Sequence, residues 1–170
     1  MKYLHLLDIP PMLVPRDKKV KLSKSQEDKL LRDNVAQMIF NFVVSEPNDK
    51  PSMQIPGPFK PKKFDDFADH RNTEKVREKL LFDTDKDWVS LGNDFFEFIK
   101  KKATFKGYDS TQAYWIVAIS DLLDKVEKQN PEEAEKEFLA HKDDQPLTWR
   151  EYYEKLGAII EVIPDLKNEI

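Results

Sequence analysis

Apolar positions recur at helical spacing through much of this chain, and the pattern breaks in two proline-interrupted stretches. Leu31, Val35, Met38, Ile39 and Phe42 share one stripe, and Ser23 with Gln26 three residues on makes a capping box in front of them. The pattern predicts a first helix over 24–45. The alternation within Ile39-Phe40-Asn41-Phe42-Val43-Val44 fits a strand as well. Further on, Asn72-Thr73 opens a short helix through Val76, Leu80 and Leu81. Thr84 with Asp87 starts another, carrying Trp88, Leu91, Phe95 and Ile99 on one stripe and Lys100 to Lys102 in its last turn, where cations suit the helix dipole. Gly92 within it costs roughly 1 kcal/mol against Ala, which favours a start near Asn93.

Asp109 with Gln112 caps the next helix. Trp115, Ile119, Leu122 and Val126 form its stripe and Ile116 and Leu123 widen it, so it is the expected centre of the fold. Asn130-Pro131-Glu132-Glu133 is a helix start with a cap, proline at the first position and acid in the first turn. A last helix begins at Thr148 with Glu151, Leu147 stapling onto Tyr152, and Leu156, Ile160 and Ile163 continuing its face to Pro164.

The breaks are as informative. Pro10, Pro11 and Pro15 cut residues 1–22, where Tyr3 to Ile9 reads as one short edge strand and the rest as extended. Residues 46–67 hold Pro47, Pro51, Pro56, Pro58 and Pro61. Proline removes a backbone donor and restricts the residue before it, so this stretch is neither a regular helix nor a central strand. It still carries Met53, Ile55, Phe59, Phe64 and Phe67, which a solvated linker would lack. The expected fold is mainly α: a five- to six-helix bundle or irregular helical array in a single domain, with one short N-terminal edge strand. Its parts are an extended N-terminal arm (1–22), the first helix (23–45), a Pro-rich extended arm (46–67) and a helical body (68–170).

The chain has 170 residues, 35% of them charged, with 11 Phe, 5 Tyr and 3 Trp. That suits thin apolar stripes under charged outer faces and excludes a wholly disordered chain. The absence of cysteine removes disulfides and thiolate metal sites. Asp8 and Pro10-Pro11 interrupt the apolar N-terminal stretch, so neither a secretory signal nor a membrane span is expected. The expected location is the cytoplasm, or a virion for a virus-encoded chain. Residues 1–63 carry a net charge of +5 and residues 64–170 a net of −9. An acidic body with basic arms favours self-association or a protein partner over nucleic acid.

Candidate chemistry is thin. Asp66, His70 and Glu74 would stack at i, i+4, i+8 on a helix as an oxygen/nitrogen ligand set, though an acidic, solvated helix start explains them more simply. His5 and His141 read as structural. Four glycines (Gly57, Gly92, Gly107, Gly157) support neither a phosphate-cradling loop nor a dinucleotide fingerprint. No catalytic residue, cofactor or metal is assigned. Lys18, Lys19, Lys21, Lys60, Lys62 and Lys63 offer a phosphate-tracking arm, but a strap onto the chain's own acidic body, or onto a neighbouring subunit's, is the favoured reading. Of the paired aromatics Phe95-Phe96 and Tyr152-Tyr153, one member each is expected outside the core.

In architecture, though in no alignable motif, the chain resembles virus-encoded assembly, connector or accessory proteins. The expectation is therefore a non-enzymatic interaction or assembly protein. It would dock on another protein, or on copies of itself, through Leu6, Leu7, Ile9, Met53, Ile55 and Phe59. The alternative is an acidic regulator or inhibitor that occupies a partner's nucleic-acid-binding or enzyme site with Glu132, Glu133, Glu135, Glu137, Asp143 and Asp144. Such binding would weaken steeply with salt.

Overall fold

A computed structural model describes residues 1–9, 23–82, 86–141 and 154. The helix predicted from Thr148, the staple at Leu147 and the Tyr152-Tyr153 pair lie outside the described residues, as does Thr84.

The Ser23 capping box is present. Its hydroxyl accepts from the Gln26 N–H at 3.2 Å, and the Gln26 side chain accepts from the Ser23 N–H at 3.0 Å. Helix α1 runs Lys24–Val44. It buries Val35, Ala36, Ile39, Phe40, Phe42 and Val43, which cover more than one face. That breadth is why its second half also resembled a strand. Helices over 67–77, 93–102 and 113–127 and the segment 78–82 all pack on it, so α1 and not the helix after Asp109 is the hub.

The chain then turns straight into β2 (Ser45–Pro47), and β3 (Phe59–Pro61) returns antiparallel to it with Glu46 opposite Lys60. The Pro-rich stretch is thus a hairpin whose stem packs on the body through Phe59 and whose long loop is largely exposed. Helix α2 (Phe67–Arg77) begins five residues before the predicted Asn72, because the Asp66 carboxylate accepts from the Ala68 N–H at 2.9 Å. It runs into a π-helical turn, Glu78–Phe82, that buries Leu80.

The helix predicted through Trp88 to Ile99 is split. Trp88–Leu91 is strand β4, with Val89 and Leu91 inward, and α3 is Asn93–Lys102. Gly92 between them is extended (φ −61°, ψ 150°) and serves as the N-cap. Four residues are too few for periodicity to separate strand from helix. What decides is the partner: β1 (Lys2–His5) pairs antiparallel with β4, His5 opposite Trp88. On the open edge of β1, the Gln129 side chain stands in for a third strand. It accepts from the Tyr3 N–H at 2.8 Å and donates to the Tyr3 carbonyl at 2.9 Å.

The Asp109 carboxylate caps a short 3₁₀ turn, Ser110–Gln112, through the Thr111 N–H, and α4 follows at Ala113–Glu127. Asn130 accepts from the Glu132 and Glu133 N–H groups at 3.0 and 3.2 Å and opens α5, Pro131–His141.

Among the described residues the molecule is therefore mainly α, with two small antiparallel ladders. Its core joins Leu4 and Leu6 to Ile39, Phe42, Phe96, Ile99, Ile119 and Leu123, each under 2% exposed. Within the described part of the expected N-terminal arm, Leu4, Leu6 and Ile9 belong to that core, and residues 10–22 lie outside the described residues. Burying Leu4 and Leu6 stabilises the fold by roughly 1.5–3 kcal/mol each, and leaving them free would forfeit it. Among the described residues no helix is long and apolar enough to cross a membrane.

Candidate interaction surfaces

The six residues expected to contact a partner fall into different places. Leu6 and Ile9 are buried in the chain's own core, a correction to their assignment as a docking face. Leu7 is half-buried. Phe59 also turns inward. Its ring lies 5.6 Å from Phe42 and 5.2 Å from Tyr108, within an aromatic group that Phe105 completes. Only Met53, fully exposed, and Ile55, at 39%, reach the surface. Both sit on the loop between β2 and β3.

That loop is tied together internally. The Asn48 amide donates to the Ile55 and Gly57 carbonyls at 2.8 and 2.7 Å, and its backbone N–H donates to the Pro58 carbonyl at 2.8 Å. The Ser52 N–H donates to the Ile55 carbonyl, and the Ile55 N–H returns to the Ser52 hydroxyl. An Asx-type side chain fixing its own turn is a local device, and nothing in the apolar pattern singled out Asn48. The loop also borders a groove of about 430 Å³ shared with Tyr108, Asp109 and Gln112.

The stem is fixed by Lys62. Its ammonium donates to the Phe42 and Val43 carbonyls at 3.2 and 3.1 Å and to the Lys102 carbonyl, so one cation caps the C-terminal ends of α1 and α3 together. Those ends carry unpaired carbonyls and partial negative charge. Burial, and then the nearby Lys102, pull the Lys62 pKa down to about 8 against the attraction of Glu46. Lys60 pairs with Asp49 at 3.1 Å and approaches Glu46 at 3.9 Å, and holds the Asp49 carboxyl below its usual range. Lys63 is exposed, while Lys18, Lys19 and Lys21 lie outside the described residues. Lys60 and Lys62 thus bind the chain's own carboxylates and carbonyls.

Asp66, His70 and Glu74 do not form a ligand set. Asp66 is the N-cap, His70 meets Phe64 edge-on at 6.2 Å, and Glu74 faces the Arg77 Nε at 3.2 Å. Among the described residues no group of three or more His, Asp and Glu could hold a metal ion. Of the Phe95-Phe96 pair, Phe96 is in the core and Phe95 is half-buried against it.

A second surface went unnoticed in the sequence. A cleft of about 630 Å³ opens where α5 crosses the β1–β4 ladder and the C-terminal end of α4. Trp88 stacks on His5 at 4.4 Å and 4° and lies nearly parallel to His141 at 6.0 Å, so two of the chain's three histidines meet one indole. Burial lowers the His5 pKa and His141 pushes the same way, against Asp8, Asp87 and Glu137. Lys125 and Asp8 pair at 2.5 Å in the same wall, and Glu133 and Glu137 of α5 are exposed along the rim. Strand pairing assembles this cleft from four separate segments, so no local signal announces it. Comparison with protein-family models, with curated proteins and with solved structures returns no match for this chain.

Proposed function

We propose that this chain is a non-enzymatic protein-interaction or assembly protein that docks through the hairpin loop, with Met53 and Ile55 as its contact residues. One observation carries the reading. A fully exposed methionine stands on a loop whose backbone is cross-tied by Asn48 and Ser52 and whose stem is anchored by Lys62 and Phe59. A mobile loop would lose ordering entropy on binding, whereas a pre-organised one spends little. Methionine adapts its shape to a partner's apolar surface. The acidic-regulator reading has less support. Glu132 and Glu133 stand in the first turn of α5, where carboxylates stabilise the helix's own positive end, and Asp143 and Asp144 lie outside the described residues.

A photo-crosslinking side chain at position 53, introduced in the native cellular context, tests the reading. A discrete protein adduct from position 53, absent from a probe at exposed Glu97, is the expected result. A position 53 as silent as position 97 would overturn it.

A further inference from the structure

The loop and the cleft occupy opposite ends of one helix. The loop groove is walled by Gly107 to Gln112, immediately before α4, whereas the cleft is walled by Leu122 to Gln129 at its far end. Helix α4 runs Ala113–Glu127 and the cleft wall begins at Leu122, so about 14–21 Å of helix separates the two sites. They cannot satisfy each other within one molecule.

Their charges are opposed. On the loop Lys50 is left over once Lys60 pairs with Asp49 and Glu46 and Lys62 is held by backbone carbonyls, whereas the cleft wall carries Asp8, Glu133 and Glu137 against Lys125 and Lys128. Lys50 is exposed three residues from Met53, and Glu133 and Glu137 are exposed at the cleft rim. The shapes are complementary too. The tip presents a thioether and a β-branched side chain, and the cleft offers half-buried Trp88 with Tyr3 and Ala134 in a volume suited to a few side chains. Sulfur against an aromatic edge is a favourable contact.

We propose that copies of this chain associate head to tail, the loop tip of one copy entering the cleft of the next. The proposal rests on the reading of the loop as a docking element and adds its partner. The contact joins two different surfaces, so each added copy leaves a free tip at one end and a free cleft at the other. Such a contact builds a ring where the rotation closes and an open chain where it does not. Its charged part weakens with salt while its apolar part persists, so variants and not ionic strength decide the question.

The test is sedimentation velocity on the purified full-length chain across its soluble concentration range, with two surface variants. Met53→Glu blocks the tip, and the double change Glu133→Lys, Glu137→Lys reverses the rim. All three residues are exposed, and circular dichroism verifies that each variant is folded. The wild type should grow in mean mass with concentration, and each variant alone should stay monomeric, roughly tenfold or more weaker in association. Mixed one to one, the variants should form a heterodimer and nothing larger, because only one intact tip and one intact cleft remain. A monomeric wild type, a mixture without heterodimer, or a dimer indifferent to both variants would overturn the inference. A monomeric wild type together with a crosslink from position 53 to a different protein would do so while leaving the loop's docking role standing.

Discussion

His5 shows how a single side chain couples the ladder to the helix above it. It stacks on Trp88, its own cross-strand partner, and His141 approaches the same indole from the last turn of α5. Burial places the native pKa of His5 below 6.5. As pH falls below about 6.5 the unfolded chain takes up the proton first, so protonation favours unfolding and stability drops until the native value is passed. Asp8, Asp87 and Glu137 limit the drop and do not reverse its sign. The melting temperature should therefore fall more between pH 7 and pH 5 in the wild type than in His5→Phe, which keeps an aromatic face on Trp88 and does not titrate. Asp49 and Asp124, held below the ordinary carboxylate range by Lys60 and Lys100, act only at lower pH. Parallel curves for the two proteins would refute the account. Neither this pairing nor the capping role of Lys62 was legible in the sequence. A lysine that serves two helix C-termini has no signature, because the groups it serves are backbone carbonyls.

At the scale of elements, local chemistry was the readable part. Ser23 and Asn130 cap as their spacing indicates, and Asp109 caps the 3₁₀ turn that leads into α4, since a capping side chain and the N–H groups it accepts from lie within three residues. The split at Gly92 was visible only as an alternative, because β4 is defined by β1, more than eighty residues away. The hairpin has a backbone requirement of its own. Gly107 adopts φ +90°, and a Cβ there would stand 3.0 Å from the Pro47 Cγ. Gly107→Ala should destabilise by about 1–2 kcal/mol and loosen Pro47 from the body. Gly57, with open space around it, should accept Ala with little effect. Urea midpoints of the two variants make the comparison, and equal midpoints would remove Gly107 from the argument.

For the whole molecule, the N-terminal segment matters most. Leu4 and Leu6 are inaccessible to solvent, and Lys2 and Tyr3 are tied to Glu127 and Gln129. Leu6→Ala should cost about 2–5 kcal/mol, and deletion of residues 1–9 should abolish cooperative urea unfolding. A cooperative transition surviving the deletion would show that β1 lies outside the folding unit. Neighbours within a few residues, together with composition, fix the helical class, the caps at Ser23 and Asn130, the proline-bounded stretches and the opposed charge of the two parts. Tertiary structure alone decided that Leu6 and Ile9 face inward, that Phe59 joins the core while Met53 stays out, and that His5, Trp88 and His141 share one cleft. Those outcomes follow from which distant segments close over one another. An apolar residue on a short extended segment carries the same local pattern whether it meets its own core or a partner.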